Sequence, residues 1–130
     1  GVMRTISIPV HVNVLRELAC GAQAALSWST ATGLQMGQEL WLFGSEATIH
    51  LTGSPFTTIY GGRRGDKELT EIPIAEGMRG GWRVEEEFIN AIRGKEKGTY
   101  TPFDGGVQYM EFTEAVTRSA QTGQAISLPL

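Results

Sequence analysis

The hydrophobic period of this chain changes once, near Trp82, and that change limits the fold more than any single motif. Before it, apolar residues recur at every second position; after it, they recur at three and four. From Val10 to Leu18 the even positions Val10, Val12, Val14 and Leu18 are apolar and His11, Asn13 and Glu17 are polar, with Arg16 the one break. Cys20 and Gly21 predict a tight turn, and Ala22, Ala24, Leu26 and Trp28 then alternate with Gln23, Ser27 and Ser29. This is the pattern of a β-hairpin. Glu39 to Phe43 is apolar on both faces, which predicts a central strand covered on both sides. Gly44-Ser45-Glu46 predicts a turn, with strands at Thr48 to Leu51 and Phe56 to Tyr60. The glycine-rich stretch Gly61 to Asp66 separates these from a weaker strand over Lys67 to Pro73, where the proline suits an edge or an end.

Beyond Trp82, Val84, Phe88, Ile89 and Ile92 lie at helical spacing. Glu85, Glu86 and Glu87 sit at the positive end of the helix, and Arg93 and Gly94 close the other. A second helix is predicted to start with Thr101 as cap, Pro102 in the first helical position and Asp104 completing a short-armed capping box. It runs to Thr122, with Tyr109, Phe112, Val116 and Ala120 as its apolar stripe, Val107 and Met110 beside it, and Gly123 as a left-handed stop. Ala125 to Leu128 reads as a short final strand before Pro129. Strands followed by helices, without alternation, predict an α+β fold: one predominantly antiparallel, open-faced sheet with helices packed on one face. The other face is then polar or needs a partner, and Trp28, Trp41, Phe43 and Tyr60 are the candidates for such an interface.

Composition narrows the function classes. The 130 residues include 17 Gly, about twice the average share, as expected of one turn-rich domain long enough to bury a core without staples. Eleven basic and 14 acidic side chains give a net charge of −3 with no long run of either sign, which disfavours nucleic acid or a membrane surface as partner. No signal peptide or long apolar span is legible, and the single Cys20 can neither close an internal disulfide nor complete a metal-ligand spacing. A soluble, cytoplasmic protein is expected. Gly1 and Val2, ahead of Met3, read as the cut end of a longer chain.

Few residues suggest chemistry. The glycines do not form the dinucleotide or phosphate-loop spacings, and no Gly-x-Ser-x-Gly elbow is present. His11 and His50 are isolated strand histidines. Glu85 to Glu87 point in different directions and cannot converge on one ion, and Cys20 has no neighbour that would activate it. Arg63, Arg64 and Arg79, in glycine-rich segments, and Trp82, before the first helix, are the candidates for substrate binding. No metal site is expected.

Three stretches carry a resemblance: Val12 to Ser29 (VNVLRELACGAQAALSWS), Glu39 to Thr52 (ELWLFGSEATIHLT), and Trp82 to Leu130, with its F-I-x-A-I-R-G helix end, T-P-x-D-G helix start and terminal S-A-x-x-G-x-A-I-x-L-P. In this order they resemble the C-terminal domain of Gfo/Idh/MocA oxidoreductases, the family of glucose-fructose oxidoreductase and inositol dehydrogenases. The resemblance implies an open-faced sheet beside an N-terminal Rossmann domain, covering a sugar, polyol or related hydroxyl substrate and building a homo-oligomer, with NAD or NADP as cofactor of the full-length parent. The Rossmann domain and the Glu-Lys-Pro motif with the catalytic lysine are absent from residues 1–130. Glu96-Lys97-Gly98 lacks the proline and follows a helix of this domain, and neither histidine has an aspartate four residues before it, so no catalytic or cofactor-binding residue carries over. The expectation is a truncated domain, inert alone, that supplies cleft walls and subunit contacts; the alternative is a free-standing binding or scaffold protein derived from the same fold.

Overall fold

The computed structural model describes residues 8–34, 37–97 and 102–130. They form an α+β fold of antiparallel strands in two open sheets, followed by two helices. Strands β1 (His11–Glu17) and β2 (Gln23–Ser29) make a two-stranded sheet. Strands β3 (Gln38–Phe43), β4 (Ala47–Gly53), β5 (Phe56–Arg63) and β6 (Thr70–Glu71) make a four-stranded sheet in that order. The single sheet expected from the alternation is therefore two. By contacts the chain divides into two compact units. One holds the described residues up to Val12 with Trp28–Gly80, and the other holds Asn13–Ser27 with Gly81–Leu130.

In the first unit, the β3–β4 register sets Trp41 opposite His50, Leu40 opposite Leu51 and Phe43 opposite Thr48. The β4–β5 register continues it, with His50 opposite Tyr60 and Leu51 opposite Ile59. Because side chains alternate along a strand, one face carries Glu39, Trp41, Phe43, His50 and Tyr60, and the other carries Leu40, Leu42, Ile49, Leu51 and Ile59. The expected central position of Glu39 to Phe43 is corrected here. β3 is an edge strand, and all six of its residues are exposed. Its two apolar faces reflect a strand open on both sides, which periodicity cannot distinguish from one covered on both sides.

β5 extends through Gly61, Gly62 and Arg63, which the sequence suggested as a loop. Glycine is needed there for close approach: a Cβ on Gly61 would lie 2.7 Å from Ile72 Cδ1, and one on Gly62 would lie 3.0 Å from Leu69 Cδ2. The expected strand over Lys67 to Pro73 shrinks to Thr70–Glu71, although Ile72 N–H still donates to Ile59 C=O at 2.8 Å. A 3-10 turn at Glu76–Met78 follows.

The second unit holds the hairpin turn, where Gly21, at φ 83°, donates its N–H to Leu18 C=O at 2.8 Å. Helix α1 (Val84–Ile92) has the predicted acidic first turn, and its one buried residue is Glu87, within 4.0 Å of Arg83 Nη1. Phe88 and Ile92, expected to pack inward, are 66% and 72% exposed. Helix α2 (Phe103–Thr122) ends at Gly123, φ 68°, as its pattern predicts. Its start differs: Pro102 occupies the cap position without a side-chain cap, so the third helical residue is Gly105 and the Asp104 capping box does not form. Thr101 lies outside the described residues. The inward stripe is Phe112, Ala115, Val116 and Ser119, rotated from the expected one, and Tyr109 stands exposed. The Arg16 guanidinium lies 5.4 Å from the Phe112 ring centroid, and Leu130 N–H donates to Glu111 Oε1 at 3.4 Å. The predicted strand at Ala125 to Leu128 is not formed.

Gly53 ends β4 at φ 120°, and a Cβ there would lie 2.6 Å from Thr57 Oγ1 and 2.7 Å from Pro55 C=O. Gly53→Ala is expected to destabilise the chain by about 1–3 kcal/mol in urea unfolding. Gly106→Ala, in α2 with open space around it, should stabilise by roughly 0.5–1 kcal/mol. An unchanged midpoint for Gly53→Ala would show that the β4–β5 connection relaxes around a side chain.

Candidate functional site

The four-stranded sheet brings three of the four expected interface residues to one face. Trp41 and Phe43, two apart on β3, lie parallel with ring centroids 5.8 Å apart. The Trp41 ring stacks on His50 at 3.8 Å and 11°, and His50 stacks against Tyr60 at 6.0 Å. Trp28 belongs to β2, in the other sheet, and is separate from this row. The Trp41 indole N–H donates to Glu39 Oε2 at 3.2 Å, and the same oxygen lies 3.8 Å from His50 Nε2. That distance is too long for a hydrogen bond, and the buried Nε2 has no partner among the described residues. The sequence marks His50 only as an isolated strand histidine and does not mark Glu39 as its neighbour. The signal was available in principle, since the Gly44-Ser45-Glu46 turn sets the register that places His50 across from Trp41.

Beneath the opposite face the sheet is aliphatic, and Leu42 is 49% exposed there. Phe43, at 78% exposed, projects at the edge of the aromatic face. Large apolar side chains are thus left open on both faces of this sheet.

Arg63 and Arg64 come together at one end of the same sheet. They line a cavity of about 360 Å³ with Ser45, Thr48, Asp66 and Lys67, between the β3–β4 turn and the connection after β5. The two turns are tied by Arg64 N–H donating to Glu46 C=O at 2.8 Å. Asp66 folds back on its own turn, accepting the Arg63 N–H at 2.7 Å and donating its own N–H to Arg63 C=O at 3.0 Å. Lys67 is a member of this group that the sequence did not mark.

Arg79 follows the 3-10 turn in the first unit and does not line this cavity. Trp82 lies in the second unit, 81% exposed, at the start of α1. A hydrogen bond from its side chain, with the backbone N–H of Glu85 adding to it, holds the Glu85 carboxyl below its ordinary range. Glu86 is likewise lowered by the Arg83 hydrogen bond at 3.0 Å and then by the charge of Arg83. The Arg83 guanidinium also reaches Glu96 Oε1 at 3.5 Å, which in turn accepts from Asn90 at 3.2 Å. This cluster gathers Glu86, Glu87 and Glu96 around the Arg83 guanidinium. Among the described residues no group of three or more His, Cys, Asp or Glu side chains could hold a metal, and Cys20 is exposed and unpaired. No helix of the described residues is long and apolar enough to cross a membrane.

Because the folded-state pKa values of Glu85 and Glu86 are lowered, the unfolded chain binds more protons across that window. Their contribution to α1 is present above the ordinary carboxylate range and is lost as pH falls through the lowered values. Carboxyl-detected NMR titration should find both below the ordinary glutamate range; titration of both within that range would refute the Trp82 and Arg83 contacts. In comparisons with known proteins, no family model matches the chain, and no curated protein or solved structure matches it.

Proposed function

We propose that this chain is a non-catalytic association and cleft-forming domain of an NAD(P)-dependent oxidoreductase similar to the Gfo/Idh/MocA family, acting on a sugar, polyol or related hydroxyl compound. The observation that carries the reading is the four-stranded sheet with apolar side chains open on both faces and an edge at β3 that has no strand partner among the described residues. An enzyme domain with its own active site needs a closed pocket with convergent polar groups. A surface of this kind instead supplies walls and subunit contacts.

The residues of this chain do not fit a dinucleotide. Its two described helices of useful length begin with Glu85–Glu87 and with Asp104, carboxylates that oppose a pyrophosphate where such a ligand needs bare backbone N–H groups. Hydride transfer and the base that accepts the hydroxyl proton are accordingly assigned to a Rossmann portion outside residues 1–130. In this reading Trp41, Phe43 and Tyr60 form the subunit contact, with a second copy of the chain as partner. Arg63 and Arg64, which line one cavity, are the groups offered to the substrate side.

The reading predicts self-association in sedimentation velocity. Phe43→Glu is expected to shift the chain to a monomer while leaving its circular dichroism unchanged, because Phe43 is already exposed at a sheet edge. Calorimetric titration with NAD and NADP should give no heat of binding. A monomeric wild-type chain, unaltered association in Phe43→Glu, or tight nicotinamide binding would each contradict the proposal.

A further inference from the structure

We infer that the cavity at the end of the four-stranded sheet is an oxyanion site, taking the carboxylate or phosphate ester group of an acidic substrate. The inference deepens the cleft-forming role proposed above and rests on it for the identity of the ligand's remainder. Three cationic side chains, Arg63, Arg64 and Lys67, line one cavity of about 360 Å³, within the size range of small-molecule pockets. None of the three is in an ion pair with an acid of the described residues; the ion pairs there involve His50, Arg83 and Arg118. Cations gathered at one cavity and free of ion pairs there attract an anion.

Against these three cations the lining sets two acids, Asp66 and Glu68, so one positive charge is left over. Asp66 is turned back onto the Arg63 N–H at 2.7 Å, so one of its oxygens is engaged within its own turn, and Glu68 is the other carboxylate of the lining. Ser45 and Thr48 add hydroxyls that can donate to oxyanion oxygens. Two features hold the site in place before any ligand arrives. Arg64 N–H bonds Glu46 C=O across the two turns, and the bare Cα of Gly62 lets the Glu68–Leu69 backbone close over β5, with Glu68 C=O 3.3 Å from where a Cβ would stand. Gly65, at φ 100°, makes the bend between Arg64 and Asp66 that a side chain would strain. Arginine suits the role because its planar fork pairs with carboxylate and phosphate oxygens two at a time, and lysine adds a point charge.

The test is an NMR titration of the isotope-labelled full chain, wild type and the Phe43→Glu variant, with inorganic phosphate and separately with gluconate, against sodium chloride at matched ionic strength. Saturable amide shifts confined to Gly44, Ser45, Gly62, Arg64 and Lys67 are expected in both proteins. Arg64→Gln with Lys67→Gln should weaken binding by about tenfold or more, without altering the spectrum of α2. Saturation by gluconate alone assigns a carboxylate ligand, and by phosphate alone a phosphate ester. Shifts that chloride reproduces, that do not saturate, or that survive the double substitution overturn the inference. Using Phe43→Glu keeps the outcomes separable: anion binding without association leaves this site standing and removes the subunit contact, and the reverse result removes only this site.

Discussion

The pairing of Trp41 with His50 across β3 and β4 is the interaction on which the arrangement of this surface depends. It supports the register that the Gly44-Ser45-Glu46 turn sets, and with period-two alternation the register decides every residue's face. A slip of one residue would mix Leu40 and Leu42 into the aromatic row and move Phe43 away from Thr48. The β4–β5 register brings Ala47 opposite Arg63 and Thr48 opposite Gly62, and so builds the cavity at the sheet's end. The aromatic row, the aliphatic face and the cationic cavity therefore follow from two adjoining strand pairings, β3–β4 and β4–β5. Glu39 reinforces it by holding the Trp41 indole N–H.

What this sheet lacks is cover. Among the described residues only Ala115 and Glu87 are buried, while Trp41, Leu42, Phe43, Phe88 and Ile92 remain open to solvent. Hydrophobic burial is the main favourable contribution to folding, so side chains of this kind gain stability by acquiring a partner surface. The exposed edge of β3 adds unpaired backbone groups to the same region, a feature that monomeric proteins normally blunt with charge or proline. Here only Glu39 supplies charge, and it is engaged with Trp41.

The sequence made the element types readable because the two periods are distinct. The hairpin at Cys20-Gly21, the acidic start of α1 and the Gly123 stop are local signals that tertiary contacts did not override. Sheet order was not readable, since an apolar run such as Leu40 to Phe43 looks the same in a covered central strand and an uncovered edge. Helix faces were misassigned for a related reason: apolar spacing identifies which residues could pack, and in α1 the chain instead turns Glu87 and Asn90 toward Arg83 and Glu96. Arg63 and Arg64 were marked by residue type. Lys67 and Thr48 join them only through the register, and Arg79 and Trp82 fall elsewhere in the fold.

We propose that the open sheet contacts a second copy of the chain. Amide hydrogen exchange measured over a series of protein concentrations tests it most directly. The account predicts that exchange from β3 slows as concentration rises, while the amides of the Cys20-Gly21 turn keep their rate. Exchange from β3 that is independent of concentration would contradict it.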